Sequence, residues 1–124
     1  MNYEKIILDY LRALENSDYG KLMNIFEEGS IVNSPLYGEV KASDFYLDLF
    51  ENTNKSNISL LNIFNSINNE GTVAGHFIYE WILKNGIHTE FECVDIFKLN
   101  EKKKIKELTI IYDTQNTRNQ FEKL

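Results

Sequence analysis

Apolar residues recur at helical spacing near the start of the chain. Ile6, Ile7, Tyr10, Leu11 and Leu14 fall on one side, and Glu4, Lys5, Asp9, Arg12 and Glu15 on the other. This spacing predicts an amphipathic helix over residues 3–15. Asn16-Ser17-Asp18 interrupts it, and Ser17 or Asp18 can cap a second helix over 18–27 that buries Leu22, Met23, Ile25 and Phe26. Gly29 follows as a stop signal. Residues 30–34 read as a short strand entering a turn at Pro35 and Gly38. Ser43 or Asp44 caps a third helix ending at Glu51, with Phe45, Tyr46, Leu49 and Phe50 inward, and 52–57 is a polar connection.

After that the pattern turns to strand, in runs over 58–68, 72–84, 87–99 and 104–113. Asn68-Asn69-Glu70-Gly71, Asn85-Gly86 and residues 100–103 separate them, and Asn85-Gly86 is the strongest short hairpin signal in the chain. The segment from Thr114 is polar and reads as loose. Helices followed by a meander of long antiparallel strands predict an α+β fold in one domain, residues 1–124. The strands are too apolar to leave both sheet faces wet, so the helices must cover one of them.

Composition narrows the class of partner. Of the 124 residues, 43% are hydrophobic and 13% aromatic, enough for a true core. A formal net charge of -6 repels a phosphate backbone, so nucleic acid is not expected as a partner. The one basic run, Lys102-Lys103-Lys104, reads as a solvated turn. Apolar runs are too short to cross a bilayer, and Met1–Lys5 leads directly into the amphipathic pattern with no signal-peptide character, so a cytoplasmic, membrane-free protein is expected. A lone cysteine, Cys93, cannot form an intrachain disulfide and has no cationic neighbour to activate it; it reads as a small core residue. No glycine-rich phosphate loop and no metal triad is present, so neither cofactor nor metal is expected.

Four stretches in order, Tyr10–Asp18, Phe26–Pro35, Val94–Asn100 and Lys104–Tyr112, give the chain a resemblance to the NTF2-like superfamily, in the branch of SnoaL-like proteins and ketosteroid isomerases. The resemblance spans about residues 8–116. It implies a cone, with N-terminal helices packed on the concave face of a curved, mixed but mainly antiparallel sheet around one pocket for a small organic molecule. It also implies site residues. The family's helix-1 tyrosine corresponds to Tyr10, and its protonated aspartate, in a strand pattern of apolar-Asp-x-aromatic, corresponds to Asp95. The family's catalytic base precedes a proline after the second helix, where this chain has Ser34. A serine cannot shuttle a proton from carbon as a carboxylate does, so authentic ketosteroid isomerase activity is not expected.

The facing of the other strand residues depends on hairpin register. A two-residue turn at Asn85-Gly86 sets Lys84 opposite Ile87, Glu80 opposite Phe91 and His76 opposite Asp95. If Asp95 faces the helices, as the resemblance implies, then so do His76 and Glu80, while Phe77, Tyr79 and Trp81 point away. A three-residue loop or an added bulge would break that register. On the two-residue reading, Tyr10, His76 and Asp95 form an acid/base set, with Ser34, Phe50, Glu80, Phe97 and Tyr112 around a bound compound. The aromatic row Phe77, Tyr79, Trp81 then forms an uncovered patch suited to a sheet-to-sheet homodimer. The expected activity is proton transfer of isomerase or dehydratase type on a small apolar carbonyl or phenolic compound. The alternatives are ligand binding without turnover, or a dimeric interaction domain.

Overall fold

The computed structural model describes residues 3–114. Helices α1 (Glu4–Glu15), α2 (Tyr19–Ile25) and α3 (Ala42–Glu51) are joined by strands β1 (Phe26–Ser34), β2 (Gly38–Lys41), β3 (Thr53–Asn65), β4 (Thr72–Leu83), β5 (His88–Leu99) and β6 (Ile105–Ile111). The strands form one six-stranded sheet in the order β2-β1-β6-β5-β4-β3. All neighbouring strands are antiparallel except β1 and β6, which run parallel. The α+β class is therefore as expected.

Helix α1 forms where the apolar stripe predicts it, burying Ile7, Tyr10, Leu11, Ala13 and Leu14. Asp18 caps α2, its carboxylate accepting from the Lys21 backbone N–H at 3.2 Å. Neither Ser43 nor Asp44 caps α3; the helix starts earlier, at Ala42, with Lys41 in the cap position. The first strand also starts earlier than expected. Gly29, at φ +78°, does not stop a helix but sits in β1, where the register against β6 shifts between Phe26 and Ile31. Residues 53–57 belong to β3, although their side chains are polar, because β3 is an edge strand whose backbone pairs only with β4. Glu15 reaches across from α1 to accept from the Ile58 backbone N–H at 2.7 Å. The Lys102-Lys103-Lys104 run lies in an exposed turn, as its charge predicts. The segment from Thr114 onward falls almost wholly outside the described residues.

The register of the β4–β5 hairpin differs from the expected one by a single residue. Leu83, not Lys84, stands against Ile87, with N–H to carbonyl distances of 2.8 Å from Leu83 to Ile87 and from Gly86 to Leu83. Within the loop only Gly86 has a positive φ, +87°. A two-residue turn of type I′ would need Asn85 in that region as well. Asn85 instead uses its side chain, Oδ1 accepting from the Ile87 N–H at 3.0 Å, and Lys84-Asn85-Gly86 becomes a three-residue loop closed by its glycine. Gly86→Ala should therefore cost about 1–2 kcal/mol, the strain of a left-handed alanine. Urea unfolding would measure it.

A shift of one residue exchanges the two faces of a strand. Asp95 stands opposite Gly75, Cys93 opposite Phe77, and Phe91 opposite Tyr79. Phe77, Tyr79 and Trp81 thus share the helix-covered face with Asp95 and are 1%, 6% and 2% exposed. The aromatic row is core within one chain, not the uncovered patch expected of it. His76 and Glu80 go to the opposite face.

Candidate functional site

Between the helices and the concave sheet face lies a cavity of about 40 Å³. Its walls come from Tyr10 and Leu14 of α1, Ser34 of β1, the turn residues Leu36 and Tyr37, and Phe45, Tyr46 and Leu49 of α3. Phe77, Tyr79 and Trp81 of β4, Phe91, Cys93 and Asp95 of β5, Ile110 of β6 and Tyr112 complete them. Aromatic rings fill most of the hollow. Phe91 stacks on Tyr79 at 5.3 Å and on Tyr112 at 4.2 Å between ring centroids. The remaining space suits a few waters, and a drug-sized ligand would need several hundred Å³.

Asp95 is the one carboxylate among the cavity's lining residues, and it is 1% exposed. Its neighbours across the sheet are Gly75 on β4 and Ile110 on β6. Gly75 contributes directly to the geometry. A Cβ there would come within 3.2 Å of Ile7 Cγ2, so its absence lets α1 lie close on the sheet. Tyr10, three residues beyond Ile7 on the same helical face, is thereby brought over Asp95.

Four polar side chains meet at this place. The Cys93 thiol donates to Asp95 Oδ1 at 3.1 Å. The Tyr10 and Tyr46 hydroxyls lie 2.6 Å apart, and either can donate. Burial pushes the Asp95 carboxyl up from 3.8 to about 7, while hydrogen bonds from Cys93 and Tyr10 pull it the other way. Burial also holds the Tyr10 and Tyr46 phenols well above their ordinary value of 10.0, so both stay neutral, as donors must. Tyr79 is raised by burial as well, and its hydroxyl pairs with Ser56 Oγ at 2.8 Å.

The other expected site residues divide. Ser34 and Tyr112 line the cavity. Phe50 and Phe97 stand behind its wall: Phe50 packs on Tyr46 at 6.0 Å, and Phe97 meets Tyr10 edge-on at 5.0 Å. His76 does not join the set. It lies on the outer sheet face, with Nε2 2.6 Å from Glu92 and Nδ1 3.2 Å from the Asn62 amide. Glu80 is also outside, 3.2 Å from His88 and bonded to Asn57 at 2.7 Å. Both misplacements have the same cause, the extra loop residue. Tyr46 was missed as a partner of Tyr10, although a phenol on the buried side of a helix needs a partner, and that signal was available.

Among the described residues no group of three or more His, Cys, Asp or Glu side chains is placed to hold a metal, and no helix is long and apolar enough to cross a membrane.

No protein-family model matches the sequence, and no curated protein matches it. Solved structures do. A protein of Shewanella denitrificans assigned as a SnoaL-like polyketide cyclase superposes with a TM-score of 0.79 at 15% identity, covering 98% of each chain. The epoxide hydrolase/cyclase-like enzyme SalBIII, of pyran-ring formation in the polyether salinomycin, gives 0.79 at 16% identity over 92% of each chain. An NTF2-like protein of unknown function from Cytophaga hutchinsonii gives 0.71 at 18% identity, over 94% of this chain and 95% of that one. The chain has the NTF2-like fold of SnoaL-like proteins. At these identities the likeness is one of fold.

Proposed function

We propose that this protein is a SnoaL-like proton-transfer catalyst of isomerase, dehydratase or cyclase type, acting on a small apolar carbonyl or phenolic compound. The observation that carries this reading is a carboxyl 1% exposed, titrating near 7, inside an apolar cavity beside two neutral phenols. A group whose pKa lies near the working pH is both an adequate base and an adequate acid. Asp95 moves the proton itself, since His76 pairs with Glu92 on the outer sheet face. With Asp95 ionised, Tyr46 donates to Tyr10 and Tyr10 to the carboxylate. When a substrate oxygen enters, the Tyr10 proton turns to it and steadies the charge that develops there. Ser34 contributes wall, not base. Tyr37 and Tyr112, which lie outside the helices and strands, are the wall residues whose displacement would make room for a bound compound.

Proton exchange into deuterated buffer at the carbon next to the carbonyl, followed by NMR on a panel of small cyclic ketones at pH 7, tests this directly. Asp95→Asn should reduce the exchange catalysed by the protein by ~10²–10⁴-fold, with Tyr10→Phe also slower. Exchange no faster than in buffer, or equal in wild type and Asp95→Asn, would dismiss the catalytic role. The small cavity volume favours a second reading, binding without turnover. Under it, ligand-induced protection of Tyr10 and Tyr112 would be seen with no exchange.

A further inference from the structure

Cys93 belongs to the buried core, and the proposed chemistry gives it no role. As a core residue it fills little space, and any small apolar side chain would serve. Its position is nevertheless specific. It lies two residues before Asp95 on β5, so both side chains leave the sheet on the same face. Both line the cavity, and Sγ lies 3.1 Å from Oδ1 of the carboxyl. Cys93 is 2% exposed, which keeps water from taking the thiol's place as donor.

We propose that Cys93 is a positioning residue whose thiol hydrogen holds Asp95 Oδ1 and thereby sets the pH at which the buried carboxyl gives up its proton. This rests on the proton-transfer reading for its functional meaning, but not for its test. Among the described residues, the groups that face the carboxyl are few. Tyr10 approaches from α1, with Tyr46 of α3 behind it and Tyr79 of β4 beyond, and all three are kept neutral by burial. Gly75 and Ile110, its partners across the sheet, bring no charge. With no cation in that set, stabilisation of the carboxylate falls to hydrogen bonds, and Cys93 supplies one of the two. Burial and the adjacent carboxyl push the thiol itself far up, so it remains a donor throughout the working pH range and does not act as a nucleophile.

The test is a carbon-13 titration of the Asp95 carboxyl in the folded protein, with the resonance assigned by its loss in Asp95→Asn. Cys93→Val keeps an apolar filler and removes the donor; Cys93→Ala removes it with less bulk. Both should move the Asp95 midpoint upward by about one pH unit, the shift expected when one hydrogen bond to a buried carboxylate is lost. Cys93→Ser, which retains a donor, should restore the midpoint to the wild-type value or below it. In parallel, the infrared S–H stretch of wild-type Cys93 should shift on Asp95→Asn, since the acceptor's charge is removed. An unmoved or lowered midpoint in both Cys93→Val and Cys93→Ala would overturn the proposal. Because neither measurement uses turnover, a protein that titrates as expected but catalyses no exchange would sink the catalytic reading and leave this one standing.

Discussion

Asp95→Asn should make the protein more stable at pH 8 while removing the proton transfer proposed for it. The sign follows from the carboxyl's two environments. In the unfolded chain it titrates at 3.8, and in the folded one at about 7. Below pH 4 it is protonated in both states, and its contribution to stability is complete. As the pH rises toward 7 the unfolded chain loses its proton and the folded one does not, so stability falls, and above 7 the loss is complete. The gap corresponds to roughly 4 kcal/mol. Asparagine has nearly the same shape, can accept from Cys93 and Tyr10, and carries no charge. The variant should lack this pH dependence and gain on the order of 10 °C in Tm over wild type at pH 8, with little difference at pH 4. Comparing wild type and variant at each pH cancels the contributions of all other groups. Parallel wild-type and variant Tm profiles from pH 4 to 8 would contradict a buried, charge-averse Asp95. A site that costs this much stability at neutral pH is expected where function maintains it.

The second large effect concerns Trp81. Its ring is 2% exposed and meets Tyr79 edge-on at 6.3 Å. Its indole N–H donates to Thr53 Oγ1 at 2.9 Å, and that hydroxyl donates in turn to the Leu49 carbonyl at 2.6 Å. One side chain thus ties β4 to the start of β3 and the end of α3. Trp81→Ala should cost about 3–5 kcal/mol, the usual result of emptying a large buried aromatic site. Urea unfolding followed by circular dichroism gives the value without relying on the chain's single tryptophan as a probe. On the opposite sheet face, exposed in a monomer, the same substitution would fall within about 0.5 kcal/mol. A small effect would therefore refute the hairpin register on which the whole cavity depends.

How much of this was legible in the sequence can be traced to particular residues. The helical stripe from Ile6 to Leu14 and the long apolar alternations of β4 and β5 are strong periodic signals, and they placed α1 and the meander, whereas α2 stops at Ile25 and Phe26 already belongs to β1. The resemblance brought Tyr10 and Asp95 to one cavity. The side-chain parity of β4 was not legible, because it hung on whether Asn85-Gly86 closes a loop of two residues or three. Both loops use the same glycine, and the difference lies in the backbone angle of Asn85, which no pattern of polarity reports. His76 and Glu80 went to the wrong face for that reason, and Phe77, Tyr79 and Trp81 with them. Strand β3 began earlier than its apolar content suggests because an edge strand can be polar and still pair through its backbone. The way in which aromatic side chains fill the hollow also lies beyond periodicity, since it depends on how rings from four elements and from Tyr37 and Tyr112 interlock.

The parallel pairing of β1 with β6 has a consequence for how the protein comes into being. Val32 neighbours Leu108, and Asn33 neighbours Thr109. During synthesis the first hairpin leaves the ribosome long before the strand that must lie beside it. Until Ile111 has emerged, β1 has one flank open, and the two early helices have only part of the sheet to rest on. Such distant pairings are slow to form and expose unpaired backbone meanwhile. The last strand acts as a keystone, and the nascent chain stays vulnerable to misassociation until it is set.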